Sequence, residues 1–244
     1  MRVLAFGSAG LVDAIVGGVG LIHIPDALIV LPQYPVSTVI GTTKIPSFAG
    51  TSMAAIQYAR HQELNYRHLF MMMAIAFCSA CLGSKLLTLV SNDFMKPLLL
   101  IVLTAVAIYT YTKKNFGLHS EKDHTQKEQL VYAMFISLTI GFYDGFVGPG
   151  TGSFLILAFV TFLGFDFLKA SSNAKFVNLS TNLVSILFFM VSGRILYQFA
   201  LPMAACNALG GFLGARLAIL RGNSFIRIFF LCVVLGTLIR FGYD

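Results

Sequence analysis

Residues 141–153 read Gly-Phe-Tyr-Asp-Gly-Phe-Val-Gly-Pro-Gly-Thr-Gly-Ser. A carboxylate (Asp144), a proline and five glycines therefore stand inside the run 129–165, which is otherwise nearly all apolar. Unpaired backbone groups are costly in lipid, so irregular chain survives within a bilayer only where protein or a wet cavity covers it. We therefore expect this stretch to line a functional site instead of forming an ordinary surface loop.

The composition of the chain is that of a membrane protein. Of its 244 residues, 57% are hydrophobic and 11% are charged, whereas soluble domains carry about 25% charged residues. The net charge of +7 comes from basic residues that stand mostly between apolar runs, as juxtamembrane anchors do, so we expect no nucleic-acid partner. The four cysteines lie within apolar runs and are interpreted as packing residues, with no metal site and no cofactor.

The apolar runs predict an all-α polytopic bundle of about eight membrane segments, because a spanning helix needs about 20 apolar residues. The runs are 3–31, 36–59, 69–90, 94–112, 129–165, 167–192, 195–220 and 224–242. Runs 3–31 and 129–165 are too long for one span and contain glycines near their middle. Each is therefore expected to be either a broken span or a re-entrant hairpin, and the sequence leaves both options open.

A constant offset of 131 positions relates the two halves of the chain, which indicates an internal repeat. The offset takes Gly10 to Gly141, Asp13 to Asp144, Gly17 to Gly148, Lys44 to Lys175, Tyr66 to Tyr197 and Gly83 to Gly214. We predict two homologous four-segment units, 1–113 and 129–244, joined by the polar loop 114–128. Such repeats are typical of secondary transporters, whose sites form at the repeat interface from discontinuous helices.

Two lysines in apolar runs mark corresponding faces of two predicted helices. Positions i, i+3 and i+7 share a helix face, so Lys175 shares its face with Asn178 and Asn182, and Lys44 with Ser47 and Thr51. A charge at bilayer depth costs about 2.5–3.5 kcal/mol on insertion scales, so such residues usually face a cavity or a partner. Snorkelling to an interface is the alternative. We expect both lysines to neutralise an anion, with these side chains, Asn173 and Thr42 binding its oxygens.

The glycine-rich stretch complements the lysines. Its glycines let backbone N–H groups turn toward an anion, and the following half-helix offers its positive N-terminus. The candidate contacts are Gly148, Gly150, Thr151, Gly152 and Ser153. Asp144 and its counterpart Asp13 either form ion pairs with repeat-related lysines or carry a coupling proton or cation, and the sequence does not separate these roles.

Residues 141–154, followed by Asn173-Ala-Lys-Phe-Val-Asn178, resemble the second-half signature of the TauE/SafE family of sulfite exporters and organosulfonate permeases, within it the YfcA-like branch. The resemblance covers essentially the whole chain. The first half departs from the pattern, because Gly17-Gly18-Val19-Gly20 is not closed by a proline until Pro25. The resemblance implies transport of small sulfur-containing anions or organic sulfonates across a bacterial inner membrane.

These observations lead to one functional hypothesis and one competitor. The hypothesis is a secondary transporter that moves a small anion by alternating access, in which Asp144 and Asp13 either carry a coupled proton or pair with a lysine. Its partners are the anion and the lipid bilayer, and homo-oligomerisation stays open. The competitor is a membrane scaffold or assembly protein without transport. An enzyme is not expected, because no catalytic set of side chains stands out.

Overall fold

The computed structural model describes residues 31–91, 93–95, 97, 98, 101 and 125–243, preceded by Leu11, Ala14, Ile15, Ile24, Ala27 and Leu28. The predictions for run 3–31, for most of run 94–112, for the first part of loop 114–128 and for Asp13 lie outside these residues. Within them the long elements are helices α1 (Val36–Ala59), α2 (Tyr66–Leu89), α3 (Gln126–Phe146), α4 (Thr151–Leu163), α5 (Phe167–Val191) and α6 (Tyr197–Tyr243).

Local chemistry explains where these helices begin and end. Thr125 and Glu128 form a capping box at the start of α3, and the Asp166 carboxylate accepts the Lys169 N–H at the start of α5, at 2.8 Å. Both arrangements satisfy donors that a helix start leaves open. Gly222 interrupts α6 with φ 71° and ψ −167°, which agrees with the predicted break between runs 195–220 and 224–242. The run 129–165 is confirmed as two helical pieces, α3 and α4.

Among the described residues, three helices are long and apolar enough to cross a membrane: Tyr66–Leu89, Phe167–Val191 and Tyr197–Gly222. These three helices, and the all-helical character of the described residues, indicate a helical membrane protein. Helix α4 is apolar but has only 13 residues, about 20 Å at 1.5 Å per residue. It is therefore too short to cross a hydrocarbon core of about 30 Å.

Helix α1 runs parallel to α6 and antiparallel to α5. The Asn207 side-chain amide donates to the Pro46 carbonyl at 2.6 Å, and a Cβ on Gly211 would overlap the Gly50 carbonyl oxygen. The residues of each pair are 161 positions apart, so α1 and α6 run in the same direction. Against α5 the order is reversed: Gly41, near the start of α1, lies against Phe189, near the end of α5, and the Leu196 N–H just beyond α5 donates to Thr42 at 3.0 Å. The C-terminal half of α1 lies beside Phe176, in the N-terminal half of α5.

The contacts of α2 fix the directions of α3 and α5. Ser180 donates to the Met73 carbonyl at 3.1 Å, and Ser84 donates to Ser185 at 3.0 Å, so α2 and α5 are parallel. Glycines Gly141 and Gly145 of α3 pack in that order against Ala76 and Ala80 of α2, closely enough that an added Cβ on either would clash. Helix α3 is therefore parallel to α2 as well, and hence to α5.

The chain consequently reverses direction between α3 and α4. Since α3 and α5 run the same way, α4 must return the chain to the side where α3 began. The rings of Tyr143 and Phe154 lie 5.4 Å apart, centroid to centroid, although 11 positions separate them. A broken but continuing span would place them far apart. Of the two options for run 129–165, the structure has the hairpin.

Corresponding helices of the two halves begin 131 positions apart and run in opposite directions. Helices α1 and α5 begin at Val36 and Phe167, and α2 and α6 begin at Tyr66 and Tyr197. Helix α5 is antiparallel to α1. Helix α6 is antiparallel to α2, because α6 is parallel to α1 and α2 is parallel to α5. Gly83 packs on Phe142 and Gly145, while Gly214 packs on Leu11 and Ala14, which the offset relates to those two residues.

Candidate functional site

A buried ion pair joins α1 to the end of α3. The Lys44 Nζ donates to Asp144 Oδ1 at 3.0 Å and to the Asp144 backbone carbonyl at 2.8 Å. The two side chains are only 4% and 3% exposed. Burying an ion pair costs several kcal/mol of desolvation per ion, which attraction and extra hydrogen bonds must offset. Breaking such a pair by removing one partner is therefore strongly destabilising.

The Asp144 carboxylate has one satisfied oxygen and one open oxygen. The Thr151 hydroxyl lies 2.8 Å from Oδ1 and 2.8 Å from the Gly148 carbonyl, so it donates to either. Oδ2 is buried and has no hydrogen-bond partner among the described residues. A buried acceptor without a donor is costly.

The loop between α3 and α4 needs glycine at two positions. Gly148 and Gly150 have φ of 90° and 77°, a region that side-chain-bearing residues rarely adopt. A Cβ on Gly148 would lie 3.4 Å from Lys44 Nζ, so the glycine also lets the loop approach the ammonium. Tyr143 closes the loop through a 2.5 Å bond from its hydroxyl to the Pro149 carbonyl.

The predicted anion contacts in this loop are buried but differ in what they bind. The Gly148 N–H caps α3 by donating to the Tyr143 carbonyl at 3.2 Å, and Thr151 serves Asp144. Gly152 and Ser153 stand in the first turn of α4 and are buried. The positive N-terminus of α4 therefore lies next to the Lys44–Asp144 pair.

Lys175 lies on a continuous buried polar face of α5. It is 1% exposed, Asn178 is 7% exposed and Asn182 is 2% exposed. The Asn182 amide donates to Asn178 Oδ1 at 2.9 Å, which fixes the orientation of both amides. Ser171, one turn before Lys175, extends the face, and its buried hydroxyl has no hydrogen-bond partner within the described part of the chain.

Two candidate residues, Asn173 and Thr42, lie on a different face of their helices from the two lysines. Asn173 and Thr42 each stand two positions before a lysine, which is about 200° around a helix of 3.6 residues per turn. The Asn173 amide donates to the Lys169 carbonyl at 2.8 Å, and Thr42 ties α1 to the chain after α5. Ser47 and Thr51 share the Lys44 face, with Ser47 half-buried and Thr51 fully buried.

The structure does not place Lys44 and Lys175 at one level. A Cβ on Gly41 would lie 2.9 Å from the Phe189 ring, and Ala55 and Ile56 line a groove with Phe176 and Leu179. In this antiparallel register Lys44 is level with the second half of α5, about 12 residues or 18 Å along the axis from Lys175. A small anion therefore does not contact both at once in this conformation.

Sequence reasoning missed Asn207, which is fully buried in α6. Its amide N–H donates to the carbonyl of Pro46 in α1. Its own Oδ1 has no hydrogen-bond partner among the described residues. The signal was present: Asn207 is an isolated polar side chain between Ala204 and Gly211 in an apolar helix. Among the described residues, no cluster of three or more potential metal ligands occurs.

Comparison with known proteins places this geometry in context. The family model described as "Sulfite exporter TauE/SafE" matches residues 3–241. The chain is 35% identical over 232 residues to "Probable membrane transporter protein ORF9" of Sinorhizobium sp, covering 95% of this chain and 87% of the relative. It is 31% identical over 220 residues to "Probable membrane transporter protein YfcA" of Escherichia coli K12, covering 90% and 80%.

A third relative, from Haemophilus influenzae, is named "Probable membrane transporter protein". It is 35% identical over 222 residues, covering 90% of this chain and 84% of the relative. No solved structure matches the chain significantly.

Proposed function

Because the chain belongs to the TauE/SafE family, we propose that it is a multi-pass secondary transporter of the inner membrane. Its cargo is a small sulfur-containing oxyanion or an organic sulfonate, moved by alternating access. One observation carries the proposal: a buried lysine–carboxylate pair lies against a glycine-rich chain reversal among apolar helices. A second buried lysine, Lys175, supports it. Buried charges at such positions mark ion and substrate pathways in membrane proteins.

The architecture that we propose is a pair of inverted repeats. The opposite directions of α1 and α5, and of α2 and α6, support it, as does the 131-position offset of their first residues. The α1–α5 contact runs antiparallel about a midpoint near Gly50 and Thr181, which the same offset relates. Inverted repeats of this kind open a central site to one side and then to the other by rocking one unit against its mate.

The two lysines then serve the anion in succession. In the conformation described, Lys44 is held by Asp144, and the anion competes with that carboxylate for the ammonium. Ser47 and Thr51 beside Lys44, and Asn178 and Asn182 beside Lys175, supply hydrogen bonds to its oxygens. The N-terminus of α4 contributes the backbone donors of Gly152 and Ser153 and a favourable dipole.

Proton coupling follows from the same competition. A proton on Asp144 Oδ2 neutralises the carboxylate, which frees Lys44 for the anion, so proton and anion enter together. By the 131-position offset, Asp13 would serve Lys175 as Asp144 serves Lys44. A carrier built in this way is locked when empty by its own ion pair and unlocked by loading.

Uptake by proteoliposomes tests the transport proposal against a scaffold role. Purified protein is reconstituted, and uptake of radiolabelled sulfite, thiosulfate and a two-carbon sulfonate is followed with and without an imposed pH gradient. We expect saturable uptake of at least one of these anions, competed by the unlabelled compound and stimulated by protons entering with it. Protein-free liposomes are the control. Absence of saturable uptake for every anion, from protein that is folded, would contradict the transport proposal.

Membrane orientation gives a second prediction. The end at which α1 ends and α2, α3 and α5 begin, called here the basic end, carries Arg60, Arg67, Lys169 and Arg221. The opposite end carries Lys85 and Arg194. Because cytoplasmic ends are enriched in lysine and arginine, we expect the basic end to face the cytoplasm.

Cysteine labelling in cells checks this orientation. In a background with all four native cysteines replaced by serine, Ser192→Cys should react with an impermeant maleimide in spheroplasts. Glu63→Cys, which is exposed at the basic end, should react only after permeabilisation. The reverse pattern would invert the assignment. Equal labelling of both sites in intact spheroplasts would contradict the predicted opposition of the two ends.

A further inference from the structure

An open groove lies between α1 and α5 near the basic end. It encloses about 370 Å³ and is lined by Ala55, Ile56, Ala59 and Arg60 of α1 and by Phe176 and Leu179 of α5. Its volume is in the range of small-molecule pockets, about 300–1,000 Å³. The two alanines stand one turn apart and create the depth of the groove, while Ile56, 47% exposed, forms its outer edge.

The position of the groove determines what solvent fills it. Helix α5 is long and apolar enough to cross a membrane, and the groove opens from the surface of the bundle between α5 and α1. Except for Arg60 and Ser52, its lining side chains are apolar. Inside a bilayer such a groove takes up hydrocarbon, since water gains no hydrogen bonds from apolar walls.

One end of the groove carries positive charge. Arg60 is the first residue after α1 and is exposed. Lys169 stands seven positions before Phe176, two turns along the same face of α5, and is also exposed. Because α1 and α5 are antiparallel, both cations lie at the basic end, where the apolar helices reach the membrane surface. The Lys169 ammonium lies 4.4 Å from the centroid of the Phe165 ring, which restricts its position.

Two acidic groups, Asp166 and Glu63, lie near these cations without forming an ion pair with them. The Asp166 carboxylate is engaged by the Lys169 backbone N–H as the cap of α5. Glu63 is exposed in the connection to α2, three positions beyond Arg60. No ion pair is formed by Arg60 or Lys169 within the described part of the chain.

We propose that this groove binds one anionic phospholipid of the leaflet at the basic end. One acyl chain lies against Ala55, Ala59 and Phe176, and the phosphate is bound by Arg60 and Lys169. A second copy of the chain fits less well, because a two-fold contact through this groove would bring the same cations of both copies together. The lipid lies on the seam between helices that the 131-position offset relates, so its occupancy responds to movement of α1 against α5.

Lipid binding by the full-length protein tests the proposal without reference to the transported substrate. Protein in neutral detergent is titrated with phosphatidylglycerol or with phosphatidylcholine of the same acyl chains, and retained lipid is measured by native mass spectrometry. The variants are Arg60→Gln, Lys169→Gln, Ala59→Phe to fill the groove, and Arg221→Gln as a control for an exposed cation at the same end but outside the groove. Thermal unfolding of each variant without lipid verifies its fold.

We expect the wild type to retain one phosphatidylglycerol in preference to phosphatidylcholine. Removal of either cation, Arg60 in the groove or Lys169 at its end, should weaken that preference by roughly fivefold, the factor that corresponds to about 1 kcal/mol per cation near an anionic surface. Ala59→Phe should abolish retention of the lipid, and Arg221→Gln should leave it unchanged. Glycerol phosphate without acyl chains should not compete.

Three results would overturn the proposal. Equal retention of both lipids by the wild type would show that the charge is not used. An equal loss in Arg221→Gln and Arg60→Gln would indicate general surface electrostatics. A dimer that forms in the absence of lipid and is lost in Ala59→Phe would assign the groove to a second copy of the chain.

Discussion

Lys175→Met is expected to lower anion transport by at least tenfold in protein that still folds. Methionine keeps most of the volume of the side chain and removes its charge. Because the partner of the buried ammonium is left without its cation, the variant should lose stability as Lys44→Met does, so transport is compared on protein that thermal unfolding shows to be folded. The anion loses a charge-assisted hydrogen bond worth about 1.5–3 kcal/mol. Each 1.4 kcal/mol is tenfold in affinity, so kcat/KM for uptake should fall by roughly 10- to 100-fold from this contact alone.

Proteoliposome uptake and thermal unfolding, measured on the same preparations, check this expectation. Lys85→Met is the matched control: it removes a lysine from another membrane-length helix, α2, where the side chain is exposed. It should transport at the wild-type rate. Lys175→Arg retains the charge on a larger side chain and should recover part of the activity. Wild-type transport by a folded Lys175→Met protein would remove Lys175 from the anion pathway.

The limits of many helices could be predicted from the sequence because polar residues and prolines punctuate the apolar runs. The run 36–59 coincides with α1, and 167–192 exceeds α5 by one residue. The offset that relates Lys44 to Lys175 also relates the first residues of α1 and α5. Periodicity and spacing are local properties of the chain, so they can be determined from the sequence without knowledge of the fold.

The direction of the chain after Phe146 could not be predicted in the same way. Glycines and a proline permit a kinked span and a hairpin equally, and the choice depends on contacts with other helices. Gly145 packs against Ala80 in α2, and nothing in the local sequence specifies that neighbour. The same holds for Lys44, whose partner Asp144 is 100 positions away.

Helix geometry separates two of the predicted ligands, Asn173 and Thr42, from the lysines. Asn173 and Thr42 stand two positions from Lys175 and Lys44, which places them on the far sides of α5 and α1. The i, i+3, i+7 rule that selected Asn178 and Asn182 already excludes such positions. The relative level of the two lysines depends instead on the antiparallel register of α1 and α5, a tertiary property.

Replacing both members of the Lys44–Asp144 pair should distinguish a structural ion pair from a coupling site. Lys44→Met leaves the Asp144 carboxylate buried without its cation, and Asp144→Asn leaves the ammonium without its anion. Breaking a buried pair from one side costs about 3–5 kcal/mol, whereas removing both charges is often close to neutral. We therefore expect each single variant to lose stability and Lys44→Met/Asp144→Asn to recover most of it, as measured by thermal unfolding in detergent.

Transport by the double variant then separates the two roles. If the pair only holds α1 against α3, the double variant should fold and transport, with the same stimulation by a pH gradient as the wild type. We expect the other outcome: a folded protein whose residual uptake no longer responds to the gradient, because Asp144 Oδ2 cannot take up a proton. Thr151→Val removes the hydroxyl that donates to the Asp144 carboxylate and leaves both charges in place. This variant should lower the free energy of unfolding by about 1 kcal/mol and should keep the response to the pH gradient. A Thr151→Val protein that lost this response would show that coupling requires the hydroxyl as well as the charge pair.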